Sequence, residues 1–289
     1  MNVQRGICRW TCVSFFIFKN AFTIIKEKEG NGMMERKKLV AFIMTMVVAM
    51  AMITGCGASS SSKKGEYEGE LIMATNATFP PYEFVENGEY EGIDVEIAGK
   101  IAEELNLELV IEDVEFGSII AGVESGKYDM GMAGMTVTDE RKESVNFSET
   151  YAVAVQSVIV PADSDIKSID DISADTKIGV QQDTTGDIYA TDDYGDEAIV
   201  RYKAGPDAVQ ALASGKVDCV IIDKEPAKAY VAANDGLELL ESAYAQEEYA
   251  ICVAKGNDEL LEKINTALTK LKSDGTIDSI VSKYISAED

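Results

Sequence analysis

The stretch Glu124–Arg141, ESGKYDMGMAGMTVTDER, holds a five-residue phrase that returns within Ala213–Ala227, ASGKVDCVIIDKEPA. Ser125-Gly126-Lys127-Tyr128-Asp129 and Ser214-Gly215-Lys216-Val217-Asp218 each follow an amphipathic segment and precede an apolar run. Glycine after serine supplies the left-handed helix cap that residues with a Cβ resist. Lysine stands at the negative helix end, and the aspartate opens a strand. The phrase is thus one helix–turn–strand joint built twice, structural in itself. What matters is what each strand delivers at its carboxyl end, where open α/β sheets place their ligands.

Outward from these joints, strands and helices alternate. Glu70–Thr75 reads as a strand, Gly92–Asn106 as a helix with Asp94 as N-cap, and Leu107–Asp113 as a strand. Gly117–Ser125 is a helix closed by Gly126, and Tyr128–Gly134 the strand after it. A second round begins at Lys177–Gln181 and runs through helix 186–194, strand 198–202, helix 206–214, strand 218–223 and helix 225–234. Glu247–Lys255 is read as one strand, and 258–285 as two amphipathic helices split at Asp274-Gly275. This alternation predicts an α/β fold with mainly parallel sheets and helices on both faces.

Composition narrows the chemistry. The chain has 289 residues, with 26 basic against 51 acidic. Residues 1–55 hold eight of the basic and three of the acidic ones, which leaves 18 against 48 and a net charge of −30 from Cys56 to Asp289. Such a surface repels nucleic acid and anionic lipid headgroups. No histidine is present, which removes His-based triads, HExxH metal sites and imidazole bases. The five cysteines, Cys8, Cys12, Cys56, Cys219 and Cys252, form no CxxC pair, so neither a zinc site nor a disulfide framework is expected. No cofactor is implied.

The front end reads as processing. Arg36, Lys37 and Lys38 precede an apolar run, Leu39–Thr54, that is short for a membrane span. Ile53-Thr54-Gly55-Cys56 resembles the lipobox of bacterial lipoproteins, which implies a diacylated Cys56 as first residue of the mature chain; an uncleaved anchor helix is the alternative. Two acyl chains suffice for stable attachment, with Ser59–Lys64 as tether. Lys28-Glu29-Gly30 can be encoded as a ribosome-binding sequence just before Met33, so synthesis is expected to start at Met33 or Met34, with residues 1–32 untranslated.

The two strand ends carry the recognition chemistry. After the first come Gly134, with a backbone N–H to offer, Thr136 with a hydroxyl, and Thr138, able to cap a short helix. Arg141 adds a planar fork suited to a carboxylate. Together they form an anion clamp, unless Arg141 pairs with a neighbouring acid. The second strand ends at Asp223, which needs a cation; Lys224 is the competing partner. A clamp for –COO⁻ and an acid for –NH₃⁺ complement a free α-amino acid.

FPPYEF, GIDVEIAGKIAEEL, AGMTVTDERKESVNFSETY, GVQQDTTGD and DGTIDSIVSKY, spanning Glu70–Tyr284, resemble the polar amino acid solute-binding proteins (family 3) of bacterial ABC importers. The resemblance implies a two-lobed periplasmic-binding-protein-like fold with two crossing strands as hinge, near Ala152–Val155 and Glu247–Ala250. Signal 33–55, lipidated Cys56 with tether to 69, lobe 1 from 70–153 plus 248–289, and lobe 2 from 154–247 are the expected parts. It further implies that Gly134, Thr136, Arg141 and Thr185 hold the ligand carboxylate, that Asp223 holds its ammonium, and that Phe79 and Phe116 sandwich its side chain. Core packing competes for both rings, and Tyr82 is expected in the core. Asn76 stands where binders of cationic ligands often carry an acid, and Gln181 can reach the side chain. The two lean toward a neutral polar ligand such as glutamine. Asp183 replaces a glycine common in the family, and Ala133 a hydroxyl residue. The implied protein is a monomeric lipoprotein, anchored on the outer face of the cell membrane, that hands an L-amino acid to a permease. The rivals are a prephenate or arogenate dehydratase on the same scaffold, with Asp223 as its acid, and a ligand-sensing receptor module.

Overall fold

The computed structural model describes residues 67–285 apart from 242. The expected untranslated extension, start at Met33 or Met34, signal, lipidated Cys56 and tether as far as residue 66 lie outside the described residues.

The chain makes two passes. The first runs β1 (Glu70–Thr75), a small antiparallel meander of β2 (Thr78–Phe79), β3 (Glu83–Glu86) and β4 (Glu89–Glu91), then α1 (Ile93–Leu105) and β5 (Glu108–Asp113). It continues through α2 (Ile119–Glu124), β6 (Met130–Gly131), α3 (Asp139–Ser144) and β7 (Val145–Phe147). The second pass is β8 (Ala152–Pro161), β9 (Ile178–Gln181), α4 (Thr185–Tyr194), β10 (Ile199–Tyr202), α5 (Gly205–Ala213), β11 (Cys219–Asp223), α6 (Lys224–Ala233), β12 (Leu237–Leu239) and β13 (Ala245–Tyr249). The chain then returns to the first sheet through β14 (Cys252–Ala254) and ends in α7 (Asp258–Ser273) and α8 (Thr276–Tyr284).

Two α/β lobes result. Their sheets have the orders β5-β1-β6-β14-β7 and β10-β9-β11-β8-β12, with β13 also on β8. Each is mixed through one strand: β14 runs antiparallel to both neighbours, and β8 to β11, β12 and β13. These two strands carry the chain between lobes and so enter each sheet against its prevailing direction. Glu247–Lys255, read from sequence as one strand, is divided by this transfer between β13 and β14. The segments that link the lobes pair with each other, Tyr249 opposite Ala152 and Glu247 opposite Ala154.

The repeated joint does the same work in both lobes. Gly126 and Gly215 adopt φ +71° and +68°. Their N–H groups donate to Val123 O and Leu212 O, while the following lysines donate to Gly122 O and Ala211 O. This is the double closure of a Schellman cap. The aspartates do more than open strands. Asp129 Oδ2 accepts from Ile72 N and Asp218 Oδ2 from Lys177 N, each at 2.8 Å, while the two aspartate N–H groups bond Ile72 O and Lys177 O. Each aspartate thus pins the start of one strand to its parallel neighbour and fixes register.

Burial on both faces explains the continuous apolar runs. Along β11, Val220 and Ile222 join the larger core cluster while Cys219 and Ile221 join the one on the opposite face. In the first lobe α1, α7 and α8 cover one face through Ile97, Ile101, Leu268 and Ile280, and α2 covers the other through Ile119 and Val123. Asp94 is not the N-cap of α1. Gly92 occupies that position, and the buried Asp94 carboxylate turns inward to Gly134. Under α2 the packing needs glycine: a Cβ on Gly131 would meet Ile119 Cγ2 at 2.5 Å and Cys252 Sγ at 2.6 Å. Gly131→Ala is therefore expected to cost about 1–3 kcal/mol, read as a lower urea midpoint; an unchanged midpoint would mean that this layer has slack.

Candidate functional site

All nine residues singled out from sequence line one cavity between the lobes: Asn76, Phe79, Phe116, Gly134, Thr136, Arg141, Gln181, Thr185 and Asp223. Glu83, Ala133 and Thr184 complete its wall. The first lobe supplies the end of β1, the meander, the turn before α2 and the segment from β6 into α3. The second supplies the ends of β9 and β11 and the start of α4. Strand carboxyl ends face each other across the gap, the placement that open α/β sheets favour.

Arg141 sits in the first turn of α3, whose start Thr138 fixes by accepting from Arg141 N at 3.1 Å. Its guanidinium is buried and does not pair with a helix-surface acid. Nη1 donates to Thr136 O at 2.7 Å, Nη2 to Asp183 O of the other lobe at 3.0 Å, and the group lies 5.2 Å from the Phe116 ring centre. Burial pulls its pKa down, opposed by Glu247 and Asp223. Thr136 Oγ1 and Thr185 Oγ1 stand 3.5 Å apart, and Thr185 opens α4, whose amide end faces the guanidinium side of the cavity. Gly134 plays a different part from the one expected. Its N–H is taken by Asp94 Oδ2 at 2.8 Å, so it offers no free donor. Its φ of +52° and lack of a Cβ make room for the Phe79 ring, which a Cβ would approach to 2.9 Å.

Asp223 is held by Tyr249 OH on one oxygen and by Gln156 Nε2 on the other at 2.8 Å, not by Lys224. The same Gln156 Nε2 donates to Glu247 Oε2 at 2.9 Å, so one amide bridges two buried carboxyls. Burial, then the charge of Glu247, pushes the Asp223 pKa up to about 7. At the far wall Gln181 Nε2 donates to Asn76 Oδ1 at 2.9 Å across the lobes, and Asn76 Nδ2 is fixed by Val114 O. Outside the cavity Lys203 pairs with Glu115, also across the lobes. Tyr82 is core as expected, edge-on to Tyr249 at 5.1 Å.

Five polar residues at or behind the cavity wall were not assigned to the site from sequence: Glu83, Asp94, Gln156, Glu247 and Tyr249. Glu83, Asp94, Gln156 and Glu247 are all at least nine-tenths buried. Gln156 left a signal as the polar interruption of the apolar run AVAVQSVIV. Glu83 and Glu247, two acids among many in an acidic chain, left none.

Among the described residues no group of acids and cysteines could hold a metal ion, and no helix is long and apolar enough to cross a membrane. The family model described as bacterial extracellular solute-binding proteins, family 3, matches residues 71–287. The arginine-binding extracellular protein ArtP of Bacillus subtilis (strain 168) is 31% identical over 87% of this chain and 99% of its own length. An ancestral arginine-binding protein, solved once bound to glutamine and once bound to arginine, is 40% identical with a TM-score of 0.72 in both structures. Each match covers 75% of this chain and 98% of the other. With a buried guanidinium and a buried acid facing one interlobe cavity, and with this match along nearly all of the described chain, the protein belongs to the family 3 extracellular solute-binding proteins of bacterial ABC importers, and is a binding protein rather than an enzyme.

Proposed function

We propose that the protein captures one free L-amino acid with a neutral polar side chain, glutamine being the reference ligand, and passes it to its permease. The observation that carries this is the placement of Arg141 and Asp223, one from each lobe, at a single cavity whose far wall is the Asn76–Gln181 amide pair. The α-carboxylate takes the guanidinium together with the Thr136 and Thr185 hydroxyls, and the ammonium takes Asp223. The amide pair offers both a donor and an acceptor to a carboxamide. Phe79 and Phe116 flank the aliphatic part. Residues 70–153 with 248–289 form one body and 154–247 the other, closing about Ala152–Val155 and Glu247–Ala250. The bonds that span the lobes, Gln181 to Asn76 and Arg141 to Asp183, favour the closed state and supply the differential contact that closure requires. Diacylated Cys56 anchors the monomer outside the cell membrane.

A second reading has a specific basis. Two buried acids, Glu83 and Asp223, line the cavity and two more, Asp94 and Glu247, are buried behind its wall, against one buried guanidinium, an excess that suits a cationic side chain. The binding of both glutamine and arginine by the ancestral relative supports keeping the two ligands together. Thermal shift of the detergent-solubilised full chain against the twenty amino acids separates them. The largest rise is expected with glutamine. A larger rise with arginine selects the cationic reading, and no rise with any amino acid overturns both.

A further inference from the structure

We propose that Glu83 and Asp94 form an acid pair on the first lobe that receives the ligand's ammonium opposite Asp223, each capture driving out the proton that the pair shares. The inference rests on the amino acid reading above. Glu83, on β3, lines the cavity with Asp223 and is 1% exposed; Asp94, in the first turn of α1, is fully buried. Asp94 Oδ2 takes Gly134 N and Tyr151 OH, both at 2.8 Å. The two carboxyls lie close enough to act on each other, and both ionised they would repel. Glu83 Oε2 and Asp94 Oδ1 are both buried without a hydrogen-bond partner.

The groups facing the pair cannot replace the proton. They are Asp223 at the end of β11, Asp113 at the end of β5, and the phenols of Tyr82, Tyr151 and Tyr230. Arg141 faces Glu247 and Asp223 instead. Burial raises both acids, Asp94 to about 6 and Glu83 well above the usual carboxylate range, so the ligand-free pair keeps a proton near neutrality. An ammonium beside Glu83 supplies the positive charge that the proton supplied, and the proton leaves. Gly134 hangs on the same Asp94 carboxylate, which links the pair to the carboxylate clamp.

The sign follows from linkage. The free protein holds more protons than the complex, so affinity rises with pH until the free pair has ionised. Calorimetry of the full chain in detergent tests this, with glutamine and arginine as probes, at pH 6.5 and 8.5, in buffers of different ionisation heat. The expected result is release of about half to one proton per ligand at pH 6.5, falling by at least half in Glu83→Gln, together with weaker binding of that variant at pH 8.5. Asp94→Asn repeats the comparison if Glu83→Gln melts early. If neither variant folds, infrared difference spectra of the unsubstituted protein carrying 13C-glutamate decide: ligand addition must remove a protonated glutamyl carboxyl band. No release from the unsubstituted protein, or the same release from both variants, overturns the acid pair and leaves any exchange to Asp223 and Glu247. If no amino acid of the panel binds, the amino acid reading itself fails and the pair falls with it.

Discussion

Arg141→Ala is expected to abolish amino acid capture, lowering affinity about 200- to 5,000-fold. Truncating one partner of a buried, hydrogen-bonded charge pair costs ~3–5 kcal/mol, largely because the other charge is left buried and unpaired. In the proposed complex that other charge is the ligand carboxylate, which the hydroxyls of Thr136 and Thr185 would not neutralise. The guanidinium also bridges the lobes through Thr136 O and Asp183 O, so the variant loses part of the closed state as well. Arg141→Lys should recover little, because an ammonium on a flexible stem cannot serve two carbonyls and a carboxylate in the plane that the fork fixes. Calorimetry with the amino acid giving the largest thermal shift checks this, alongside a melting curve showing that the variant is folded. Affinity within threefold of the unsubstituted protein would remove Arg141 from the site.

Part of this site was legible because its chemistry coincides with punctuation. Gly134, Thr136, Arg141 and Asp223 follow apolar strands whose starts are marked by the repeated joint, so a strand's end could be located by counting. Gln181 ends β9 and Thr185 opens the helix after it. The fold was legible for a related reason: period and caps mark helices, and buried parallel strands read as unbroken apolar runs. What could not be read is what depends on contact between distant segments. Glu247–Lys255 has no internal mark of a change of sheet, since the break at Ala250 is imposed by pairing with β8 on one side and with β6 and β7 on the other. Asp94 looked like a cap because its spacing fits one, yet a carboxylate 40 residues from Gly134 in sequence turned inward to that N–H. Glu83, Gln156 and Glu247 reach the cavity region only through neighbours that the fold brings together. Sequence places single charges well, but the pairing of like charges is a tertiary fact.

Asp223→Asn is expected to do two opposite things: weaken ligand binding at least ~100-fold and make the ligand-free protein more stable. The loss follows from removing the ammonium's counter-charge, a buried ion-pair partner. The gain follows from the neighbours. Asp223 is buried beside Glu247, and the two share one Gln156 amide, with no cation bonded to either among the described residues. Burial and that repulsion raise its pKa to about 7, against roughly 3.9 in the unfolded chain. A carboxyl whose folded value lies above its unfolded one destabilises the fold when ionised. The penalty is absent below pH ~4, grows through the interval between the two values, and is complete above pH ~7, where it amounts to about 2–4 kcal/mol. Asparagine keeps an acceptor for Tyr249 OH, and a flip of the Gln156 amide lets its otherwise unpartnered Oε1 accept from the new –NH₂. The melting temperatures of variant and parent should therefore coincide near pH 4 and separate as pH rises to 7, the variant melting higher by several degrees. A variant less stable than its parent at pH 7.5 would show that the Gln156 bridge, not the acid's charge, sets the energetics of this wall. A variant that is more stable and still binds would move the ammonium away from Asp223. The expected outcome, a tighter fold that no longer binds, is the signature of a site holding unfavourable charge in reserve for its ligand.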